Sequence, residues 1–511
     1  MKKPLSKLNP LVVLCSPPSR SINHYRPPVA LLYLAGYLKQ HSIKAKIVDI
    51  TLNEVVKNKK FFKNIDQQIE AIESKIIHQI TQLKPMVVGI TCYTPEYMQV
   101  LSLAHKIKAI FPKTKIIIGG IHPTLYPDEM LLEPKSPIDY EVVGEGEETL
   151  LELSKYIIKK TGKLSSIKGI AYLSKSKVVK NNLRPLNSDL DYISHPAYDL
   201  IDMNYYTNAS PYAIRGCFLR SIYILATRGC PSTCTFCVAK KLRAFNGGGQ
   251  YTRVRSAKSL IKEIKTLKSK YQIDSFYFID DLFTINKANV INFCRELKKQ
   301  KLNLLWGCSS KVSTLNKEII QEMASAGCVQ IDFGVERGSN QSLIDIQKGI
   351  STQMITEIFN LCHLYKIRTF ANFLVNLPGE TKKDLNDIIK FSQTLKSEIY
   401  SYNVFTPYPG TDIYDNMTYC FTKDEYQELF SASDLIETFP IKYKFHKHNI
   451  NILNWATIQN RRFNELIPNI KFHLSLKYIS MFFNSSNKLN YISQSVNLFR
   501  EVLNQKFNLN L

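Results

Sequence analysis

Long apolar runs are missing from this sequence. No window holds the roughly 18 consecutive apolar residues that a membrane-spanning helix needs. The apolar stretch at residues 11–15, which follows a basic start, is too short for the core of a secretory signal. We therefore expect a cytoplasmic protein. The 11 cysteines are an odd number in a long chain, which argues against a disulfide framework and favours reduced thiols that can serve as metal ligands.

Acidic residues are also scarce. The chain has 43 Asp and Glu against 67 Lys and Arg, a formal net charge of +24, and this excess indicates an anionic partner, substrate or membrane surface. A lysine-rich proteome is the alternative explanation, because the basic residues are spread along the chain. Apolar residues at 44% and charged residues at 22% are ordinary globular values, which exclude a mostly disordered, collagen-like or coiled-coil protein.

The length of 511 residues favours about three domains. In the first part, short β-branched runs alternate with helical patterns, which predicts an α/β domain with a doubly wound, Rossmann-like parallel sheet. The strands expected there are 11–15, 45–50, 86–91, 115–118 and 140–143. Six more strand-like segments alternate with helices further on, which predicts a partial (β/α)6 barrel of the TIM type. These segments are 222–227, 275–279, 303–308, 329–335, 369–375 and 400–406.

We place the first domain at residues 10–155, a linker at 156–215, the barrel at 216–415 and a small basic helical region at 416–511. Ligands of open α/β sheets and of parallel barrels bind at the carboxyl ends of the strands. The loops that follow the strands are therefore where we expect functional residues.

Three cysteines, Cys230, Cys234 and Cys237, follow the first barrel strand. Thiolates are the usual ligands of iron-sulfur clusters, and a cluster held by three of them keeps one iron open for another ligand. A structural zinc site is the alternative, with Cys217 or a distant residue as the fourth ligand.

The spacing Cys230-x3-Cys234-x2-Cys237, with Phe236 before the last cysteine, resembles the radical S-adenosylmethionine enzymes, which carry this motif on the loop after the first barrel strand. The resemblance implies a [4Fe-4S] cluster whose open iron binds the amino and carboxylate groups of S-adenosylmethionine. It also implies that the reduced cluster cleaves this molecule to a 5'-deoxyadenosyl radical, while the protein positions the reactants and excludes water.

The same resemblance assigns S-adenosylmethionine contacts to other strand ends. Asp280 and Asp281 match the position that holds the methionine amino group, although paired acids there can simply cap a turn. The remaining matches are Ser310 after the third strand, Glu336 after the fourth, and Asn376 and Gly379 after the fifth. A buried ion pair between Glu336 and Arg337 is the competing interpretation.

Ser256 is the expected N-cap of a helix that follows Arg253 and Arg255. These arginines could meet an anion, but such a pair is more often a solvated helix start, and we favour that interpretation.

The first domain resembles the cobalamin-binding domain that is fused to many radical enzymes. Glycines at strand ends allow the backbone to approach a bulky flat ligand, and a threonine could bond the nucleotide tail. The residues that carry the resemblance are Thr91, Thr94, Gly119, Gly120 and Gly144. The motif that offers a histidine to cobalt is absent after the first strand, so His24 and His122 are interpreted as ordinary loop histidines.

Together the resemblances imply a cobalamin-dependent radical enzyme that methylates an unactivated carbon of a small-molecule or lipid substrate and consumes two molecules of S-adenosylmethionine. An oxidative cyclase or ring-rearranging enzyme of the anaerobic porphyrin-cyclase type is the alternative. A methylthiotransferase is disfavoured because the first domain holds only Cys15 and Cys92, and a non-catalytic sensor is disfavoured by the intact cysteine motif.

Partners are harder to derive. The family implies an electron donor such as flavodoxin or ferredoxin. The basic, aromatic C-terminal region could close over the substrate or rest on a membrane face, although a packed helical cap explains it better. Nucleic acid is disfavoured because the sequence shows no recognised binding module.

Overall fold

The computed structural model describes most of the chain. The described residues are 8–18, 26–51, 54, 65–208, 213–215, 217, 219–245, 250–418, 421–429, 445–463, 471–485, 492–493 and 496. Among them, no helix combines the length and the apolar character needed to cross a membrane.

A seven-stranded sheet forms the first unit. Its strands are β1 Asn9–Cys15, β2 Ala45–Val48, β3 Pro85–Thr91, β4 Lys115–Gly119, β5 Tyr140–Val142, β6 Ile170–Ser174 and β7 Lys177–Lys180. They lie in the order β2-β1-β3-β4-β5-β6-β7, and β1 to β5 are parallel. The helices are α1 Val29–Gln40, α2 Ile65–Leu83, α3 Tyr97–Ile110, α4 Ile121–Leu125 and α5 Glu147–Ser154. The five strands predicted from the sequence are all present, and the doubly wound sheet is confirmed.

The segment expected to be a linker contributes to this sheet. Strands β6 and β7 form an antiparallel hairpin that extends the sheet beyond β5. Their residues are partly exposed and the strands are short, so they lack the continuous apolar run that marks a central strand.

The second unit is a six-stranded parallel barrel segment, which confirms the predicted partial barrel. Its strands are β8 Ser221–Ile224, β11 Ser275–Phe278, β12 Leu305–Ser310, β13 Cys328–Glu336, β14 Arg368–Val375 and β15 Ile399–Val404. They lie in the order β15-β14-β13-β12-β11-β8. A separate antiparallel ribbon joins β9 Thr227–Arg228 to β10 Arg253–Val254. The helices are α6 Met203–Thr207, α7 Ala239–Leu242, α8 Ala257–Tyr271, α9 Lys287–Lys299, α10 Lys317–Ser325, α11 Asn340–Asp345, α12 Thr352–Leu364, α13 Lys382–Leu395 and α14 Asp412–Asp415.

Side-chain alternation gives the barrel two different faces. Phe276, Phe278 and Trp306 point outward into the core beneath the helices and are fully buried. Residues of the opposite face, from the middle of the strands towards their carboxyl ends, are half-buried: Ser309, Asp332, Asn372, Ser401 and Asn403. Because successive side chains of a strand point to opposite faces, these hydroxyl, amide and carboxyl groups line an accessible, polar lumen.

The C-terminal region packs on the barrel through α15 Ile452–Phe463 and α16 Leu476–Asn484. The Trp455 ring lies 5.7 Å from that of Tyr402 on β15. Tyr478 and Met481 of α16 join Tyr223, Leu305 and other residues near the amino ends of the strands in one apolar cluster. Helix α16 therefore helps to close the end of the lumen that lies opposite the strands' carboxyl ends.

Candidate functional site

The cysteine loop leaves the barrel directly after the ribbon strand β9. Cys234 is 6% exposed, whereas Cys230 and Cys237 are half-buried. Every other cysteine that the structure describes is buried. Burial raises the pKa of the Cys237 thiol to about 11 and also raises that of Cys234, and the three sulfurs influence one another electrostatically. The loop therefore gathers three thiols that a bound metal must deprotonate.

Two features hold the base of this loop. The Asp280 carboxylate accepts hydrogen bonds from the backbone amides of Ala226, at 2.8 Å, and Thr227. Gly229 has φ +86°, and a Cβ there would collide with the Tyr251 carbonyl oxygen. The sequence pairs Asp280 with Asp281, but the structure separates their roles, because Asp280 is buried while Asp281 is exposed.

Two lysines lie beside the loop. The Lys348 ammonium is 2.7 Å from the Glu336 carboxylate and 5.5 Å from the centroid of the Phe236 ring. Burial opposes its charge, but Glu336 and Cys234 outweigh burial and raise the pKa of Lys348. Lys311 donates a hydrogen bond of 3.1 Å to Ser232 inside the loop. Lys348 follows a helix and belongs to no motif, so no sequence signal marks it.

The alternative interpretation, an ion pair between Glu336 and Arg337, was wrong, because each residue pairs with a different partner. Glu336 pairs with Lys348, whereas Arg337 lies 2.5 Å from the carboxylate of Glu380. Glu336 has φ +65°, a conformation that carries a steric cost for a residue with a Cβ. Its placement beside the cysteine loop keeps it a candidate contact for S-adenosylmethionine.

The remaining predicted contacts differ in accessibility. Ser310 is buried and shares a 2.5 Å hydrogen bond with Thr284. Asn376 is fully buried, and its amide oxygen accepts a hydrogen bond from the backbone of Phe445. Gly379 is exposed, with φ +78°. Of these three residues, Gly379 is the one whose surface is open to a ligand.

The donor set fits an iron-sulfur cluster. Thiolates are the usual ligands of such clusters, and three of them leave one iron open for another ligand. Cys230, Cys234 and Cys237 would hold the cluster, and Lys311 and Lys348 would balance its negative charge.

A cavity of about 700 Å³ opens at the carboxyl ends of the first sheet. Its walls include Thr91, Gly119, Gly120 and Gly144, and it extends to Tyr223 of the barrel. Gly120 has φ +116°, and a Cβ there would lie 2.8 Å from the carbonyl oxygen of Cys92. The backbone therefore forms part of the cavity wall without a side chain in between, which fits the approach of a large planar ligand such as cobalamin.

Two residues considered for this site lie elsewhere. Thr94 is 5% exposed and its hydroxyl is 3.2 Å from Nδ1 of His122. His122 is fully buried, and burial lowers its pKa to about 3. Neither residue lines the cavity, and His24 lies outside the described residues. The Thr94 hydroxyl therefore contacts His122 inside the first unit.

The sequence also missed the contact between the two units. Arg253 and Arg255 are each 4% exposed, so their interpretation as a solvated helix start was wrong. Arg253 is 2.5 Å from Glu145 of the first unit, and Arg255 is 2.6 Å from Glu263. Ser256 caps α8 as expected, since its hydroxyl accepts from the amide of Ser259. Charge alone could not reveal a partner 108 residues away in the chain.

Two separate parts of the chain match known protein families. Residues 19–154 match the B12 binding domain, and residues 224–392 match the radical SAM superfamily. An uncharacterized methyltransferase of Pyrococcus horikoshii is 30% identical over 79% of this chain and 82% of its own length. An anaerobic magnesium-protoporphyrin IX monomethyl ester cyclase of Rubrivivax gelatinosus is 27% identical over 76% of this chain and 66% of its own length.

Solved structures share the fold. The methyltransferase TsrM from Kitasatospora setae superimposes with a TM-score of 0.63 at 19% identity, over 79% of this chain and 75% of its own. The cobalamin-dependent enzyme OxsB gives a TM-score of 0.60 at 18% identity, over 89% of this chain and 62% of its own.

Fold, cysteine loop and cavity together define a radical S-adenosylmethionine enzyme that carries a cobalamin-binding domain. The chain belongs to the cobalamin-dependent radical S-adenosylmethionine methyltransferase family. Its cofactors are a [4Fe-4S] cluster, S-adenosylmethionine and cobalamin. The porphyrin cyclases are related members of this family.

The carboxyl group of Asp280 gives a testable pH dependence. Burial raises its pKa from 3.8 to about 7. Because the folded state favours the protonated form, this group stabilises the fold below pH 4 and loses that contribution as the pH rises towards 7. In the wild type, the free energy of unfolding should fall as the pH rises through this range, by about 1.4 kcal/mol for each unit by which the Asp280 pKa is raised. We expect Asp280→Asn to lose this part of the pH dependence.

Urea unfolding of the metal-free protein, followed by the fluorescence of the buried Trp306, measures this effect at pH 5 and pH 8. Glu296→Gln is the control, since its surface pair with Lys299 is 2.6 Å long and exposed. A wild-type pH dependence that persists in Asp280→Asn would contradict the assignment.

Proposed function

We propose that this enzyme methylates an unactivated carbon of a small, polar molecule held in the barrel lumen. The accessible polar lumen carries this proposal. When bound, the cluster and S-adenosylmethionine supply a hydrogen-abstracting radical, and methylcobalamin supplies the methyl group. The chain's own residues bind and orient the substrate and keep water away.

The lumen offers hydrogen bonds of several kinds. Asp332 accepts a hydrogen bond of 2.7 Å from Gln330 and also bonds Tyr277, and burial raises its pKa to about 6. The Tyr277 hydroxyl is 3.0 Å from that of Ser309. Arg215, which is exposed, lies with its guanidinium 5.1 Å from the centroid of the Phe370 ring. A substrate with hydroxyl, amine or carboxylate groups can form further hydrogen bonds with this wall, whereas a purely apolar molecule would cover these polar groups without bonding to them.

Known relatives support a small-molecule substrate. TsrM was solved with its tryptophan substrate, and a cytidylyl-2-hydroxyethylphosphonate methyltransferase of Streptomyces wedmorensis is 24% identical over 80% of this chain. Both names describe polar molecules. We propose the same class for this chain, and we place its binding site between Asp332 and the cysteine loop.

The products of the reaction test this proposal. Anaerobically reconstituted and reduced enzyme, given cobalamin and its substrate, should yield S-adenosylhomocysteine and 5'-deoxyadenosine in equal amounts. Untargeted comparison of metabolites and lipids with and without the gene should reveal a polar compound heavier by one methylene unit. 5'-deoxyadenosine without S-adenosylhomocysteine would indicate a cyclase, and a modified lipid would contradict the substrate class.

A further inference from the structure

Four charged side chains connect the loop after β5, at the cavity of the first unit, to the ribbon of β9 and β10 beside the cysteine loop. Glu145 and Glu147 follow β5 in the first unit. Arg228 lies on β9, which leads into the cysteine loop, and Arg253 lies on β10, which follows it. Arg253 contacts both carboxylate oxygens of Glu145, at 2.5 and 3.0 Å. Arg228 contacts both oxygens of Glu147, at 2.6 and 3.3 Å. We call Glu145, Glu147, Arg228 and Arg253 the arginine clamp.

The clamp connects the cavity of the first unit to the ribbon beside the cysteine loop. Glu145 is the neighbour of Gly144, and both line the cavity of the first unit. Arg228 lines the same cavity and stands two residues before Cys230. Arg253 pairs directly with Arg228 across the ribbon. Side chains that touch one another therefore connect the cavity wall to the ribbon beside the cysteine loop.

The pairs are buried and geometrically specific. The side chain of Arg253 is 2% exposed and that of Glu147 is 4% exposed. Burial opposes the ionised form of Glu145, but Arg228 and Arg253 outweigh it and lower its pKa. Buried ion pairs add little net stability compared with apolar residues of similar size. Bidentate arginine-carboxylate pairs do fix distance and orientation.

Arg228 ends the strand that leads into the cysteine loop, and a second contact connects it to the cavity wall. The Arg228 guanidinium is 5.8 Å from the Tyr33 ring centroid, and Arg255 donates a 2.9 Å hydrogen bond to the Tyr33 hydroxyl. Tyr33 lines the cavity as well. Arginines of the barrel unit thus contact three residues of the cavity wall, Tyr33, Glu145 and Glu147.

We propose that the arginine clamp sets the separation and orientation of the cobalamin cavity relative to the cysteine loop. Its residues act as positioning residues. This inference builds on the proposed function, in which both cofactors serve one substrate and a displacement of about 1 Å can lower the rate by about 100-fold.

The test compares three variants of the full chain. Arg253→Met removes the charge and both contacts to Glu145, whereas Arg253→Lys keeps the charge and loses the bidentate geometry. The matched control is Arg184→Met, because Arg184 pairs with Glu148 at 2.8 Å and Glu152 at 2.6 Å, away from the cysteine loop. Pulsed electron paramagnetic resonance of the loaded protein measures the distance between cob(II)alamin and the reduced cluster, without substrate or turnover.

We expect wild type and Arg184→Met to give one narrow distance distribution. Arg253→Met should keep its iron and cobalt content but broaden the distribution, and Arg253→Lys should broaden it less. With substrate, the yield of methylated product per 5'-deoxyadenosine should fall by about 10- to 100-fold in Arg253→Met. If Arg253→Met fails to fold or to bind its cofactors, Arg253→Lys decides the outcome.

Unchanged distance distributions in the variants that bind both cofactors would overturn the proposal. A distribution equally broad in wild type would overturn it too. The distance measurement does not depend on methyl transfer. If the proposed reaction fails, the distance distributions therefore still test the role of the clamp.

Discussion

Replacing Cys234 with alanine is expected to abolish cleavage of S-adenosylmethionine and to leave cobalamin bound. Cys234 is the most buried of the three cysteines and lies between the other two in the loop. With two thiolates left, the cluster loses one of its three protein ligands and is not retained. The cavity that fits cobalamin lies in the other unit and does not include Cys234, so the absorption spectrum of bound cobalamin should persist.

The control for this variant is Cys362→Ala. Cys362 is fully buried in the helical layer around the barrel, and its removal costs only about 1 kcal/mol of cavity formation. It should keep both iron and activity. Cys234→Ala that still forms 5'-deoxyadenosine would refute the assignment of the cysteine loop.

Gly120→Val is expected to have the reciprocal effect, with loss of cobalamin and retention of the cluster. A Cβ at this position would lie 2.8 Å from the carbonyl oxygen of Cys92, and φ +116° is unfavourable for a β-branched residue. The added methyl groups would also enter the cavity that Gly120 lines. We expect cobalamin affinity to fall by at least about 100-fold, which corresponds to about 2.7 kcal/mol.

The matched control is Gly162→Val, at an exposed glycine of the same unit with φ +86°, where no heavy atom of the described residues lies within 4 Å of the Cβ position. It also places valine at a positive φ, but it does not line the cavity. Cobalamin titration followed by absorbance measures both variants. Normal cobalamin binding by Gly120→Val would contradict the placement of this ligand.

Most of the fold could be predicted because parallel strands leave continuous apolar runs between turn residues. The hairpin of β6 and β7 could not, since an edge strand with exposed residues has no such run. The cysteine motif was evident because its ligands are close in sequence. The pairing of Glu145 with Arg253 became evident only in the structure, because ion pairs between distant segments leave no periodic pattern.

The sequence located the strand ends that carry the predicted S-adenosylmethionine contacts better than it located the contacts themselves. The strand ends that hold Asp280 and Asn376 were identified correctly, but a strand end does not reveal which way a side chain points. Asp280 turns to the amides of Ala226 and Thr227, and Asn376 turns to Phe445. Asp281 and Glu336 therefore stay the better candidates for contact with S-adenosylmethionine.

The most direct test of the central claim is the metal content and spectrum of anaerobically purified, reduced protein before and after addition of S-adenosylmethionine. Three cysteine ligands and an open iron predict about four iron atoms per chain and an electron paramagnetic resonance signal that shifts when S-adenosylmethionine binds. Zinc in place of iron, or a cluster signal that does not respond to S-adenosylmethionine, would contradict the account.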